Sequence, residues 1–168
     1  MSKKTLIILL GSACVGKTTI ETKMINDMGC CPVTIITTRN ERRDDPPHYR
    51  FVSLDAFEML DNLDFVLQTS ISLYGYVVND APVSVVSLIS AKDVDELIEA
   101  VSVRCNLEVV VIKINATDKE MSECFKLRNM KDTKERINES KIGSCQIDYE
   151  YHRDDAIIKI EEIVKKML

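Results

Sequence analysis

"TLIILLGSACVGKTTI" occupies residues 5–20, and its reading decides the fold. An apolar run, Thr5 to Leu10, leads through two glycines into a lysine and two threonines. Gly11 and Gly16 stand five apart with Lys17 and Thr18 directly after, the spacing G-x-x-x-x-G-K-T. A loop of this kind between a strand (Thr5 to Leu10) and a helix (Thr18 to Met28) is a phosphate cradle. Glycine lets backbone N–H groups turn inward and approach phosphate oxygens. The N-terminus of the following helix adds its dipole. Lys17 is expected to reach the β and γ phosphates, and the Thr18 hydroxyl to hold Mg2+. Gly11, Ser12, Ala13, Cys14, Val15, Gly16, Lys17, Thr18 and Thr19 form the expected ATP-binding set. An export signal is the competing reading, because Lys3 and Lys4 precede the apolar run and small residues follow up to Cys14. Such a signal usually has an apolar region of about 7–15 residues, longer than Leu6 to Leu10. It also has no use for Gly16-Lys17-Thr18.

The bulk properties agree with one globular domain. The chain of 168 residues has room for a proper core. Apolar residues make up 45% and charged residues 29%, an ordinary balance for a soluble protein. The 22 basic and 27 acidic side chains leave a net charge of −5, so no global basic pull draws nucleic acid, and none is expected as a partner. No apolar run approaches the roughly 20 residues of a membrane span. Cysteines 14, 30, 31, 105, 124 and 145 form neither a C-x-x-C pair nor a zinc spacing. They read as reduced thiols in a cytoplasm.

Strands and helices alternate along the chain. Val33 to Thr38 is β-branched and apolar and predicts a strand. "RNERRDDPP" is an exposed loop, and His48 beside its prolines is expected to be exposed. "HYRFVS" predicts a short strand, and Ser53 a helix cap before "LDAFEML". "FVLQTSISLYGYVV" predicts one or two strands with a turn near Ser72, and "VSVVSLI" a buried strand. "AKDVDELIEAVS" predicts a helix with Val94, Leu97, Ile98 and Val101 on its apolar side. "LEVVVIKIN" predicts a strand, and "DKEMSECFKLRN" and "TKERINESKIG" helices about a join at Asn129 to Asp132. A strand near Tyr149 and an amphipathic helix from Asp155 to Met167 close the chain. The alternation implies a parallel α/β sheet covered on both faces.

Residues 37–76 narrow the reading. Thr37-Thr38-Arg39, Arg42, Tyr49-Arg50-Phe51-Val52-Ser53, Phe57 and Tyr74-Gly75 follow the glycine loop in that order. Together they resemble the guanylate kinase family. The resemblance implies a P-loop kinase fold: a parallel sheet flanked by helices, a small inserted substrate-binding lobe and a short lid. The implied core covers about 1–36 and 82–168, the lobe about 37–81 and the lid about 126–136. It implies ATP and Mg2+ as cofactors and a small phosphorylated acceptor as substrate. Arg39 and Arg42 would grip the acceptor phosphate, since arginine forks match phosphate oxygens two at a time. The hydroxyls of Tyr49 and Tyr74 would donate to the same phosphate. Arg128 and Arg136 match lid arginines that neutralise charge on the moving phosphoryl group. No catalytic histidine is needed, because the attacking oxygen belongs to an ionised phosphate.

Three departures bear on substrate and metal. Ile35 and Leu67 stand where the family has a serine and a glutamate that read guanine. An apolar wall offers a base edge no hydrogen bonds, so guanine is not the expected base. "SVVSLIS" carries no acid where the family has an aspartate near the metal. The expected function is phosphoryl transfer to a nucleoside or deoxynucleoside monophosphate with altered base choice. A kinase of a phosphorylated sugar, of the ribose bisphosphate type, and a non-catalytic binding module are the alternatives. The intact Lys17-Thr18 pair speaks against the last.

Overall fold

The computed structural model describes residues 2–104, 106–128 and 144–168. In chain order the elements are β1 (Lys4–Leu10), α1 (Lys17–Asp27), β2 (Cys31–Pro32), β3 (Thr34–Thr37), β4 (Tyr49–Phe51), α2 (Leu54–Glu58) and β5 (Phe65–Gln68). They continue as β6 (Leu73–Val77), β7 (Val83–Leu88), α3 (Ala91–Val101), β8 (Leu107–Asn115), α4 (Asp118–Leu127), β9 (Tyr149–His152) and α5 (Arg153–Met167). Five strands form one parallel sheet in the order β2-β7-β1-β8-β9. The other four form a mixed sheet in the order β4-β3-β6-β5.

β1 is central, and its unbroken apolar sequence follows from that position. Leu6 to Leu10 are all fully buried, because helices cover both faces. Alternate side chains feed opposite cores. Ile7 and Leu9 meet Ile20 and Met24 of α1, Met121 and Phe125 of α4, and Ile160 and Val164 of α5. Leu6, Ile8 and Leu10 meet Val94, Leu97 and Val101 of α3, with Ile35, Phe65 and Tyr76 of the second sheet. Each such aliphatic side chain removed from water contributes roughly 1.5–3 kcal/mol.

The helix starts follow local chemistry. Ser53 Oγ accepts from Ala56 N, Ser90 Oγ accepts from Asp93 N, and Thr117 with Glu120 closes a reciprocal capping box. No helix among the described residues is long and apolar enough to cross a membrane.

The strand expected over Val33 to Thr38 is present as β3, Thr34–Thr37, and a short strand the sequence did not suggest precedes it. Cys31–Pro32 pairs with β7 in the parallel sheet, and Thr34–Thr37 pairs with β4 and β6 in the other. The chain crosses between them at Val33, whose N–H still donates to Val85 O while Ile35 N–H donates to His48 O. Pro32 is tolerated because β2 is an edge strand. The structure corrects one expectation: His48 is not exposed, since its side chain is only 8% accessible and faces Glu21 on α1. The expected lid, its join at Asn129 to Asp132, the helix over "TKERINESKIG" and Arg136 lie wholly or largely outside the described residues.

Candidate active site

The glycine loop joins the end of β1 to the start of α1, at the carboxyl ends of the parallel strands. Gly11 N–H donates to Leu88 O of β7, which pulls the loop against its neighbour. A Cβ on Gly11 would lie 2.6 Å from Val15 Cγ2 and 2.8 Å from the Ile114 carbonyl oxygen, so only glycine fits. Gly16 caps α1 with φ 98°, a left-handed conformation that costs other residues strain. It offers no side-chain cap, and the first turn of α1 holds no acidic residue. The amides there are left to an anion. Lys17 is 9% exposed, and its Nζ donates to the carbonyls of Gly11, at 2.5 Å, and Ser12, at 2.8 Å. Thr18 and Thr19 are exposed.

Facing this loop is one side of the four-stranded sheet. The register pairs Ile35 with Tyr49 and Tyr76, Thr37 with Phe51 and Tyr74, Tyr76 with Phe65, and Tyr74 with Leu67. Paired residues share a face, so all eight side chains stand on the same side. Burial raises the Tyr49 hydroxyl to about 12 and raises Tyr76 further, so both remain phenols, able to donate a hydrogen bond. The Arg39 guanidinium lies 5.7 Å from the Tyr49 ring centre and 5.3 Å from that of Phe51. It also grips Asp45 through Nη2–Oδ1 at 2.7 Å and Nη1–Oδ2 at 3.1 Å. These bonds hold the Asp45 carboxyl below its ordinary value and raise Arg39.

Between loop and sheet lies a cleft of about 610 Å³. Ala13, Cys14, Gly16, Lys17, Thr18 and Thr19 line one wall, and Arg39, Arg42, Tyr49, Leu67 and Tyr74 line the other. Arg128, the C-cap of α4, reaches its edge. Ser12 and Val15 are buried inside the loop, and Ile35 is buried at 2% exposure in the core beside the tyrosines. The Cys14 thiol is raised to about 11, first by burial and then by the Cys124 thiol beside it, so it stays protonated.

Several polar groups in the cleft escape sequence reasoning, Glu21, Asp45, Ser87 and Asp93 among them. Glu21 is 6% exposed and accepts from Ser87 Oγ. Asp93, in the first turn of α3, has its carboxyl raised by burial. Glu21 stands one helical turn after Lys17, a spacing visible in the sequence, whereas Asp45 is lost in a run of charges. The exposed Thr18 hydroxyl and the Glu21 carboxylate are hard oxygen donors in one cleft, the chemistry that Mg2+ requires.

The α/β architecture, with a glycine loop between the central strand and its helix, is that of a P-loop kinase. No family model and no curated protein matches the sequence. Solved structures match the fold. A guanylate kinase from Anaplasma phagocytophilum aligns with a TM-score of 0.64 over 99% of this chain and 87% of that one, at 14% identity. The fold is therefore guanylate kinase-like, and at that identity the likeness speaks for the fold alone.

Proposed function

We propose that this protein transfers the terminal phosphoryl group of ATP to a nucleoside or deoxynucleoside monophosphate whose base is not guanine. The observation that carries the reading is a single one. A glycine loop with its lysine and an arginine–tyrosine wall face each other across one cleft. The loop suits the triphosphate of a donor, and the wall suits the phosphate of an acceptor.

The residues divide the work. The amides of residues 11–19 and the first turn of α1 hold the donor phosphates. The Lys17 ammonium exchanges the Gly11 and Ser12 carbonyls for phosphate oxygens. Arg39 has five N–H donors and spends three, two on Asp45 and one on Asn40 O. Two remain for an acceptor phosphate. Arg42, Tyr49 and Tyr74 complete that grip, with the four-stranded sheet as the acceptor lobe. Arg128 would place positive charge against the group in transit, the role that the resemblance implies for Arg136 as well. The attacking phosphate oxygen is already ionised, so positioning and charge neutralisation do the chemistry. Thr18 would hold Mg2+, which would supply charge neutralisation at the donor phosphates. The described cysteines stand as free thiols, in keeping with a reducing cytoplasm.

A second reading, a kinase of a phosphorylated sugar, draws support from one feature. Leu67 presents an apolar side chain to the cleft and Ile35 is buried in the core, so neither reads a base. ADP release measured across the nucleoside monophosphates, their deoxy forms and ribose bisphosphate separates the two. A base-bearing acceptor should be best, and a preference for the sugar phosphate would replace the first reading with the second.

A further inference from the structure

Glu21 is the polar group of the cleft whose position is hardest to explain by packing. It follows Lys17 by one helical turn, and side chains on a helix tilt toward its N-terminus. Its carboxylate therefore returns over the turn that carries Lys17 and Thr18, all three lining the cleft. Ser87 Oγ donates to Oε2 at 2.5 Å, and His48 Nε2 stands 3.1 Å from Oε1, outside the alignment of a hydrogen bond. Ser87 sits near the carboxyl end of β7, level with Leu9 on β1, immediately beside the glycine loop.

That spot has a meaning in this architecture. P-loop enzymes hold Mg2+ with the loop hydroxyl and an acid on a neighbouring strand. β7 is the neighbouring strand, and it ends Val-Ser-Leu with no acid. Instead, a serine on β7 fixes a carboxylate delivered from α1. Burying a carboxylate is costly unless its charge is answered, and a cation in the cleft would answer it. Each carboxylate oxygen has two lone-pair sites, so Ser87 leaves capacity for a metal or its bound water. Mg2+ commonly takes one or two carboxylates and keeps several waters.

We propose that Glu21 is the acidic group of the magnesium site, presented from α1 and steered to the end of β7 by Ser87. This assignment rests on the kinase reading above.

Mn2+ serves as the probe, titrated by electron paramagnetic resonance into the protein saturated with a non-hydrolysable imido analogue of ATP. Glu21→Gln keeps the shape and the bond from Ser87 but removes the charge. The variant should bind Mn2+ about tenfold more weakly or worse. Its affinity for the analogue in EDTA should not fall, because a negative charge has left the phosphate site. Ser87→Asp added to Glu21→Gln should restore much of the Mn2+ affinity, which a merely structural Glu21 would not allow. Unchanged Mn2+ affinity in Glu21→Gln, or no recovery in the double variant, overturns the proposal while leaving the kinase reading intact. Failure of the unaltered protein to bind the analogue overturns both. Should Glu21→Gln not fold, the unaltered protein labelled with 13C in its glutamate carboxyls and threonine Cβ carbons decides. Mn2+ should broaden the Glu21 signal strongly, and a sharp Glu21 signal beside a broadened Thr18 overturns the proposal.

Discussion

The Arg39 guanidinium meets both carboxylate oxygens of Asp45, at 2.7 and 3.1 Å, while its central carbon lies over the rings of Tyr49 and Phe51. Both side chains are about one-tenth exposed. Asp45 takes the end-on fork of the guanidinium and fixes the plane in which the remaining donors point. An arginine so held loses little freedom when a phosphate arrives, and that lowers the cost of binding.

Asp45→Asn should therefore raise the acceptor KM by roughly tenfold, with the KM for ATP much less affected. Arg39→Ala should cost more, roughly ten- to a hundredfold in acceptor binding, since hydrogen bonds to charged groups contribute about 1.5–3 kcal/mol. Arg39→Lys should not rescue it, because an ammonium has no fork. Steady-state kinetics with each substrate varied in turn checks all three. Equal loss on the ATP side would place these residues with the donor or with the framework.

The same pair should leave a mark on acid stability. The Asp45 carboxyl is held below its ordinary value, first by the bonds from Arg39. Its stabilising contribution is thus complete above the unfolded carboxylate value of about 3.9, and is lost as pH falls through the lower folded value. Asp45→Asn removes the titrating group, so its stability should fall less steeply than that of the unaltered protein below about pH 4. Urea unfolding from pH 2 to 6 measures this, and parallel curves would refute it.

Gly11→Ala should damage binding and folding together. Its Cβ would sit 2.8 Å from the Ile114 carbonyl oxygen, a backbone atom with nowhere to go. Lys17→Ala should instead remove phosphoryl transfer and keep the fold, because its ammonium bonds the loop carbonyls of Gly11 and Ser12 at the phosphate site. A thermal melt beside a turnover assay distinguishes the two. Near-normal turnover in Lys17→Ala would remove the donor site from the loop.

GMP should be a poor acceptor, because Leu67 offers a guanine edge nothing to bond. Leu67→Glu is the clean test, since Leu67 lines the cleft, and it should raise kcat/KM for GMP relative to the best natural acceptor. Ile35 is the wrong place to engineer. It is 2% exposed in the core, and truncating a buried isoleucine to alanine costs about 2–5 kcal/mol. If GMP or dGMP is already the best acceptor by about tenfold, the guanine edge is read by other groups, with Gln68 and Asp93 in the cleft the first to examine.

The central strand, the glycine loop and the helix after it were legible because each rests on a local rule. An unbroken apolar run marks a strand buried on both faces, and the glycine spacing marks the loop. The arginine–tyrosine wall was legible as a set of residues but not as a surface. Only the register shows that Tyr49, Tyr74 and Leu67 share a face. The short strand Cys31–Pro32 was hidden because it is two residues long and ends in proline, and the change of sheet at Val33 is set by partners far along the chain. His48 looked like loop, and its burial depends on α1 arriving from elsewhere. Asp45 read as part of an exposed charged loop and Glu21 drew no reading, since a sequence shows a carboxylate but not the arginine or serine that receives it.

Phosphorus NMR of the unaltered protein with ATP, Mg2+ and a panel of nucleoside monophosphates tests the proposed chemistry most directly. Transfer predicts the paired resonances of a nucleoside diphosphate growing from one acceptor as ATP becomes ADP, absent with Lys17→Ala and strongly slowed with Arg39→Ala. Inorganic phosphate as the sole product, or ATP unchanged with every phosphorylated acceptor, would contradict it.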